Sequence, residues 1–526
     1  MDTSHPFSSP AHDAALANID AVIARGPFNA SWESLKGYGF PSWYVDGKFG
    51  IFPCWGPISV SGFNADWYAR EMYQQGRPEF EHHLKTFGKH DVVGYKDLIQ
   101  HYTMEKFDAD EWASLFRRAG AQFVVPIAEY HDGFANYDSA FTPYRATEMG
   151  PKRDLVGELL TSCRSVGLTA GCSSHYMENW WFYNGGVKFP SDVQDPAFAA
   201  LYGPAQREEI PATEAWLNHW LCRTCDFVNK YRPSLVWFDF GIEDPAYQPY
   251  LKKFAAYYFN RSVEWGTHVA INQKFGAMPN DVGVVDIERG QLGDITYPFW
   301  QTDTSPAKNT WFYIPDAIYK EAGTLIGDLV DIVSKNGALL LSIGPKPDGT
   351  IPDREIELLE EIGRWLAING EAIYGTRPWK IYGEGPNKIE EGFFTDTNRP
   401  AYGGADIRFT CRPPQRRHGE ILYATVLGQP PDDRVLIRSL AAGSGLLVQD
   451  IKQIDLLGGL HKLEWTRGAD GLAVTVPQGL NKHGFSLRIF LEPRPDTRPD
   501  GLPTVGEGFE RFGAYGDLGQ HLETHS

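Results

Sequence analysis

From about residue 50 to residue 343 the chain alternates short apolar, β-branched runs with longer amphipathic stretches, and this alternation restricts it to folds built on a parallel sheet. The strand-like runs are residues 50–55, 122–129, 168–174, 235–240, 267–272, 282–288 and 338–343, each bounded by Gly, Pro or polar residues. Helix-length segments at 109–119, 153–166, 213–230, 249–265 and 318–334 lie between several of them. Seven such strands within roughly 300 residues predict an α/β fold with a closed (β/α)8-like, TIM-type barrel rather than an open doubly wound sheet. No GxGxxG or GxxxxGK(S/T) phosphate loop supports the open alternative. In such a barrel the chemistry lies at the C-terminal ends of the strands.

The pattern changes after a helical segment at 354–367. Between about 379 and 493 only short strand-like runs remain, at 405–411, 420–427, 434–437, 472–476 and 486–490, separated by Gly, Pro and Asp turns. That spacing predicts a C-terminal antiparallel β-sandwich. The expected division is therefore a catalytic barrel over 1–375, a sandwich over 376–495 and an extended tail over 496–526, where Pro, Gly, Asp and Glu occur without apolar period.

Composition excludes several partners. The 526 residues hold 49 Lys and Arg against 67 Asp and Glu, a formal charge of −18, with no basic run. Phosphate backbones and anionic membranes both select basic surfaces, so neither nucleic acid nor membrane is an expected partner. No apolar run approaches the ~20 residues of a membrane-spanning helix, and a soluble protein is expected. Aromatic residues make up 14% of the chain, including 16 Trp, which serve either a large core or a site that stacks on flat rings. Six cysteines (Cys54, Cys163, Cys172, Cys222, Cys225, Cys411) form no disulfide framework, and the lone CxxC at Cys222 and Cys225 reads as two helix cysteines. There is no HExxH, no His pair at zinc spacing and no GxSxG elbow, so neither metal nor cofactor is expected. The N-terminal Met-Asp-Thr-Ser-His-Pro lacks the basic and apolar regions of a leader, so the expected location is cytoplasmic, or periplasmic or secreted if a leader has been removed. The sequence sets no oligomeric state.

The candidate chemistry sits at strand ends. In 235–241, period-two alternation puts Leu235, Trp237 and Asp239 on one face, so an apolar strand ends on a carboxylate. A helix cap or salt bridge is the alternative use of that Asp. In 283–290, Val284, Asp286 and Glu288 share a face and Arg289 follows. Two strands thus bring carboxylates to one mouth, an arrangement used by retaining glycosidases at ~5 Å separation and by inverting ones at ~6.5–9.5 Å. The run Glu129-Tyr130-His131-Asp132-Gly133-Phe134 closes another strand with groups able to bind a substrate hydroxyl.

The ordered blocks Lys48-Phe49-Gly50-Ile51-Phe52 with Trp55-Gly56-Pro57, Trp67-Tyr68-Ala69-Arg70 with Met72-Tyr73, His131-Asp132-Gly133-Phe134, Met149-Gly150-Pro151-Lys152-Arg153-Asp154, Trp237-Phe238-Asp239, Asp331 to Gly337, Ile343-Gly344-Pro345, Asp348-Gly349-Thr350-Ile351-Pro352 and Asn369-Gly370-Glu371-Ala372-Ile373-Tyr374 resemble the α-L-fucosidases of glycoside hydrolase family 29. The resemblance runs from about residue 43 to 379 and implies a barrel followed by a β-sandwich. It also implies retaining, metal-free hydrolysis of terminal α-L-fucose from fucosylated oligosaccharides or glycoconjugates, with Asp239 as nucleophile. Trp300 with Thr302-Asp303-Thr304-Ser305 is a further resembling block; the acid/base position varies among the family's subgroups, and Glu288 is expected to fill it because it ends a neighbouring strand beside Arg289, the more so as Gln301 stands where other members carry a Glu after that Trp; Asp303, Asp286 and Glu243 are the alternatives. Arg289 resembles a sugar-contacting Arg. Cys54, Tyr130 and Asp66 depart from the family's His, His and Glu at sugar-binding positions, and His175 is expected to replace a lost imidazole donor. Trp55, Trp67, Trp237, Trp300 and Trp311 are expected to face the substrate, and 180–183 to form a rim. The sandwich aromatics Phe393, Phe394, Tyr402, Tyr423 and Trp465 read as core. An exo-glycosidase accepting L-galactose-like sugars, or a catalytically silent carbohydrate-binding protein on the same fold, are the competing readings.

Overall fold

The structure, a computed structural model, describes residues 7–399, 401–413, 419–459 and 461–492, so the expected tail lies outside the described residues. Its first sheet contains β1 (Phe49–Pro53), β2 (Phe123–Val124), β3 (Ile127–Glu129), β4 (Thr169–Ser174), β5 (Leu235–Phe238), β6 (Ala270–Gln273), β7 (Val284–Asp286), β8 (Trp300–Thr304) and β9 (Gly337–Ile343). They run in the order β2-β1-β9-β8-β7-β6-β5-β4-β3, every pairing is parallel, and β2 pairs back onto β4. β2 and β3 are halves of one strand broken at Pro126, which has no N–H for the ladder; its carbonyl still accepts from the Ser173 amide at 3.0 Å. The described residues therefore close an eight-position, TIM-type barrel.

Helices α1 (Pro10–Arg25), α2 (Ala109–Arg118), α3 (Leu155–Ser165), α4 (Glu214–Tyr231), α5 (Gln248–Trp265), α6 (Ala322–Ser334) and α7 (Asp353–Asn369) wrap it. Side chains start several of them: Asp108 caps α2, Asp154 caps α3 and Thr213 caps α4, each accepting first-turn amides. α2 shows why these segments become helices, since Trp112, Ala113, Leu115 and Phe116 fall on one buried face at i, i+3 and i+4 spacing. None of the described helices is long and apolar enough to cross a membrane. All six cysteines are buried and unbridged, and Cys222 and Cys225 lie within α4.

Two features depart from a regular (β/α)8 pattern. The connections after β6 and β7 contain no helix, and other chain covers that face, since Ile271, Gln273 and Ile287 are buried. β8 was not among the expected strands, because its inward residues are polar. Gln301 accepts from the Tyr44 hydroxyl at 2.5 Å and donates to Asp286 at 2.7 Å, so the barrel interior here is hydrogen-bonded rather than oily.

Beyond α7, β10 (Arg377–Glu384), β11 (Ile407–Arg412), β12 (Ile421–Val426), β14 (Ile451–Leu456) and β17 (Phe485–Leu491) form an antiparallel sheet in the order β10-β11-β12-β17-β14. A second antiparallel sheet, β13-β16-β15, is made by β13 (Arg434–Ile437), β15 (Trp465–Gly468) and β16 (Gly471–Thr475). Trp379, Phe409, Leu422, Leu472, Leu487 and Ile489 belong to a hydrophobic core separate from that of the barrel. Ionic contacts join the two parts. Arg408 of β11 reaches Asp331 of α6, which also takes the Lys335 ammonium at 2.7 Å, and Arg399 lies 3.3 Å from Asp328. Arg408 and Asp331 are both buried, so removing one partner strands a charge in a dry interface. Arg408→Leu is expected to cost about 3–5 kcal/mol of stability, read as a lowered midpoint in urea denaturation.

Candidate active site

The C-terminal ends of the barrel strands converge on a cavity of about 270 Å³, under the ~300 Å³ that drug-sized ligands need and suited to a single sugar ring. Asp239 follows β5 and faces inward with Trp237, as the alternation of that strand requires. Lys274 follows β6 on the same face as Ala270 and Asn272. Glu288 follows β7, and Asp303 is an inward residue of β8.

Lys274 is the hub. Its ammonium is buried and donates to Glu288 Oε2 at 2.7 Å, with Asp239 Oδ1 at 3.3 Å, Asp303 Oδ2 at 3.6 Å and Asp286 Oδ2 at 4.0 Å. The indole of Trp237 faces it 4.8 Å from the ring centre. Burial works against the ammonium, but the surrounding carboxylates raise its pKa well above the ordinary lysine value.

The carboxylates respond in opposite ways. Burial pushes Asp239 up, but Lys274 together with hydrogen bonds from His131 and His175 holds it well below the usual carboxylate range. Its Oδ1 also accepts the Phe240 amide at 2.9 Å. Glu288 goes the other way: burial raises it, Lys274 opposes, and the negative charge of Asp239 raises it further. Asp303 is raised well above its ordinary value by burial and by the neighbouring charge of Asp286. One group is thus poised to stay ionised and another to hold a proton.

Two imidazoles meet at Asp239 Oδ2. His175 Nδ1 lies at 2.8 Å and its Nε2 at 3.1 Å from the Ser173 hydroxyl, so both ring nitrogens are engaged inside the protein. Burial lowers its pKa to about 4, leaving it neutral near pH 7. His131 Nε2 is 3.4 Å from Asp239 and Nδ1 is 3.0 Å from the buried Glu178. Burial disfavours its charge, but Glu178 and Asp239 outweigh this and raise its pKa to about 10, so it is an imidazolium. Among the described residues His131, His175 and Asp239 are the one group with metal-ligand spacing. Both rings converge on the same carboxylate oxygen, Asp239 Oδ2.

Of the residues singled out from the sequence, Cys54, Asp66, Trp67, Tyr130, His131, His175, Trp237, Asp239, Glu288 and Trp311 line the cavity. The Cys54 thiol is raised well above its ordinary value, chiefly by burial, and stays protonated. Asp66 accepts from the Trp311 amide at 2.7 Å and the Thr310 hydroxyl at 3.1 Å, while its own carbonyl accepts the Tyr130 hydroxyl at 2.8 Å. These contacts fix the wall carrying Trp311.

Three expected residues lie elsewhere. Trp55 is fully buried behind the wall, donating to the Ile127 carbonyl at 2.8 Å and packing on Phe107 and Trp112. Trp300 points out of the barrel and donates to the Lys335 carbonyl at 2.9 Å, because the polar Gln301 and Asp303 take the inward positions of β8. Arg289 has φ +47°, a left-handed turn that aims its side chain away from the cavity, at Asp396 and the carbonyls of Ala307 and Lys308. The expected rim at 180–183 is mostly interior: Trp180, Phe182 and Tyr183 are buried, and Trp181 is only half-buried, against Trp67 and Arg70. Lys274, Phe240 and Phe394 were missed by sequence reasoning; the alternation Ala270, Asn272, Lys274 would have exposed the first had the strand been extended by two residues.

The sequence signature of the alpha-L-fucosidase family matches residues 15–371. The tissue alpha-L-fucosidase of Bos taurus is 30% identical over 491 residues, covering 91% of this chain and 89% of that protein. The Rattus norvegicus tissue alpha-L-fucosidase is 28% identical, covering 87% and 90%. A crystal structure of Thermotoga maritima alpha-fucosidase in complex with a mechanism based inhibitor superposes with a TM-score of 0.69 at 28% identity, covering 88% of this chain and 99% of that one. With its barrel, its sandwich and its sequence signature all matched, the chain belongs to the alpha-L-fucosidase family of glycoside hydrolases.

Proposed function

We propose that the protein removes terminal α-linked L-fucose from fucosylated oligosaccharides or glycoconjugates with retention of configuration, Asp239 acting as nucleophile and Glu288 as acid/base. The observation that carries this reading is the shared ammonium of Lys274. It lies 3.3 Å from an oxygen of Asp239 and 2.7 Å from one of Glu288, which keeps that oxygen pair within about 6 Å and fits the ~5–5.5 Å carboxyl separation of retaining enzymes. The two groups also carry the opposite protonation tendencies that double displacement needs.

In the first step a carboxylate oxygen of Asp239 bonds to the anomeric carbon as the bond to the leaving oxygen breaks and that oxygen takes the Glu288 proton. In the second, the Glu288 carboxylate takes a proton from water, whose oxygen bonds to the anomeric carbon and releases Asp239. His131 and His175 hold the nucleophile by its Oδ2 and leave Oδ1 toward Lys274. Phe52, Trp311 and Phe312 supply apolar wall for the methyl group of fucose, worth about 0.8 kcal/mol when buried. With both ring nitrogens already engaged, His175 serves the nucleophile rather than a sugar hydroxyl. A silent binder has no use for a nucleophile held ionised beside an acid held protonated.

Release of 4-nitrophenol from the α-L-fucoside, beside the α-L-galactoside and β-D-galactoside, tests the assignment. Wild-type protein is expected to prefer the fucoside and NMR to show α-fucose as the first-formed anomer; first-formed β-fucose would overturn retention. Asp239→Gly is expected to lower kcat by about 10⁴-fold or more. Glu288→Gln is expected to lose about 10²–10⁴-fold on substrates whose leaving group must be protonated and far less on 2,4-dinitrophenyl α-L-fucoside, whose leaving group needs no proton.

The pH profile follows from the same charges. Activity requires Asp239 ionised and Glu288 protonated, so the acid limb falls at very low pH and the alkaline limb lies above the ordinary Glu value of 4.5. Because Lys274 lowers both groups, Lys274→Met is expected to move both limbs of kcat/KM upward in pH; a profile lowered in height but not shifted would show that the ammonium does not set their protonation.

A further inference from the structure

The barrel mouth is completed by chain from the far side of the sandwich boundary. Between β10 and β11, Gly392 exchanges backbone hydrogen bonds with Gln291 at 3.0 and 3.2 Å, Phe394 donates its amide to the carbonyl of Glu288 at 2.9 Å, and Asp396 donates its own to Arg289 at 3.0 Å. The Asp396 carboxylate also binds Lys320 and Thr304 at 2.5 Å each. The approach is tight, since a Cβ on Gly290 would stand 1.7 Å from the Gly392 carbonyl oxygen. Phe394 is thereby fixed beside Glu288, on the wall of the same cavity. This reverses the expectation that Phe393 and Phe394 belong to the sandwich core.

Phe394 is 59% exposed and Phe275 is 52% exposed, and these are the two exposed phenylalanines among the described residues. Both have left-handed backbone, φ +57° and +52°, a conformation that bulky side chains rarely adopt and that marks functional positions when the surroundings enforce it. Phe275 follows Lys274 directly and stacks on Phe393 at 4.9 Å and 27°, with Phe240 packed edgewise at 6.4 Å. Tyr297 is the one other exposed aromatic among the described residues, so two strained phenylalanines in solvent stand out, one on the cavity wall beside Glu288 and one directly after Lys274.

We propose that Phe275, Phe393 and Phe394 form a binding surface for the leaving group, stacking on the apolar C–H face of the pyranose ring next to the scissile bond. This rests on the fucosidase reading above. Glu288 protonates the leaving oxygen, so the ring attached to that oxygen emerges on the side of the cavity where Phe394 is pinned to the Glu288 backbone. The open side of the surface leaves the hydroxyls of that ring in water, which fits a ring held by one flat face.

The test compares α-L-fucosyl fluoride, whose leaving group has no ring, with a fucosylated galactoside. Phe394→Ala and Phe275→Ala are each expected to lower kcat/KM on the galactoside about tenfold more than on the fluoride, and Phe394→Trp to restore most of the difference. Equal losses on both substrates would overturn the proposal and assign the segment to holding Glu288 in place, and equal activities would overturn it outright. Wild-type protein inert on both substrates would overturn the functional reading, and this surface with it.

Discussion

Everything at the mouth of this barrel depends on one buried ammonium among four carboxylates. Removing charge from water is expensive, and a single lysine cannot neutralise Asp239, Glu288, Asp286 and Asp303 together. The cluster resolves the conflict by sharing protons unequally. Asp239, which alone also receives two imidazoles and a backbone amide, keeps its charge. Asp303 and Glu288 lean toward their neutral forms. The opposite protonation tendencies of Asp239 and Glu288 therefore do not arise separately on their two strands. They are two outcomes of one electrostatic competition, decided by which carboxylate collects the extra donors.

That competition explains what the sequence revealed. Asp239 was legible because Leu235 and Trp237 are apolar and the carboxylate ends their face, so its cost stood out against the strand. Glu288 was legible for the same reason after Val284. Lys274 obeys the same alternation, but it lies two residues past the expected strand end and was passed over. β8 was invisible as a strand because Gln301 and Asp303 face an interior that is itself polar, and the rule of apolar residues inside fails where a hydrogen-bond network fills the centre.

Other residues were misplaced for reasons no linear pattern discloses. Arg289 follows Glu288 and would face the cavity if the strand continued, but a left-handed turn redirects it to brace the wall beneath Trp311. Trp55 is a core residue because its indole found a backbone carbonyl behind the wall. Phe394 is separated from Glu288 by more than a hundred positions, and backbone pairing of 392–396 with 288–291 brings them together. The barrel and the sandwich were each legible from their own periodicities; the seam between them, made of Arg408, Asp331, Arg399 and Asp328, was not, because each of its ion pairs joins residues far apart in the chain.

With no helix after β7, the strand end at 288–291 pairs instead with chain made much later. The eight strand positions are all available once β9 has been made at residue 343, and a ribosome delivering the chain from its N-terminus could release a closed barrel at that point. The wall beside Glu288 is still missing then. It arrives only with Phe394 and Asp396, which are synthesised after the first sandwich strand and stay in place through pairing with 288–291 and the charges of Arg289 and Lys320. A barrel closed at that point would lack this stretch of wall, and its cavity is lined in full only once the chain beyond β10 has docked on 288–291.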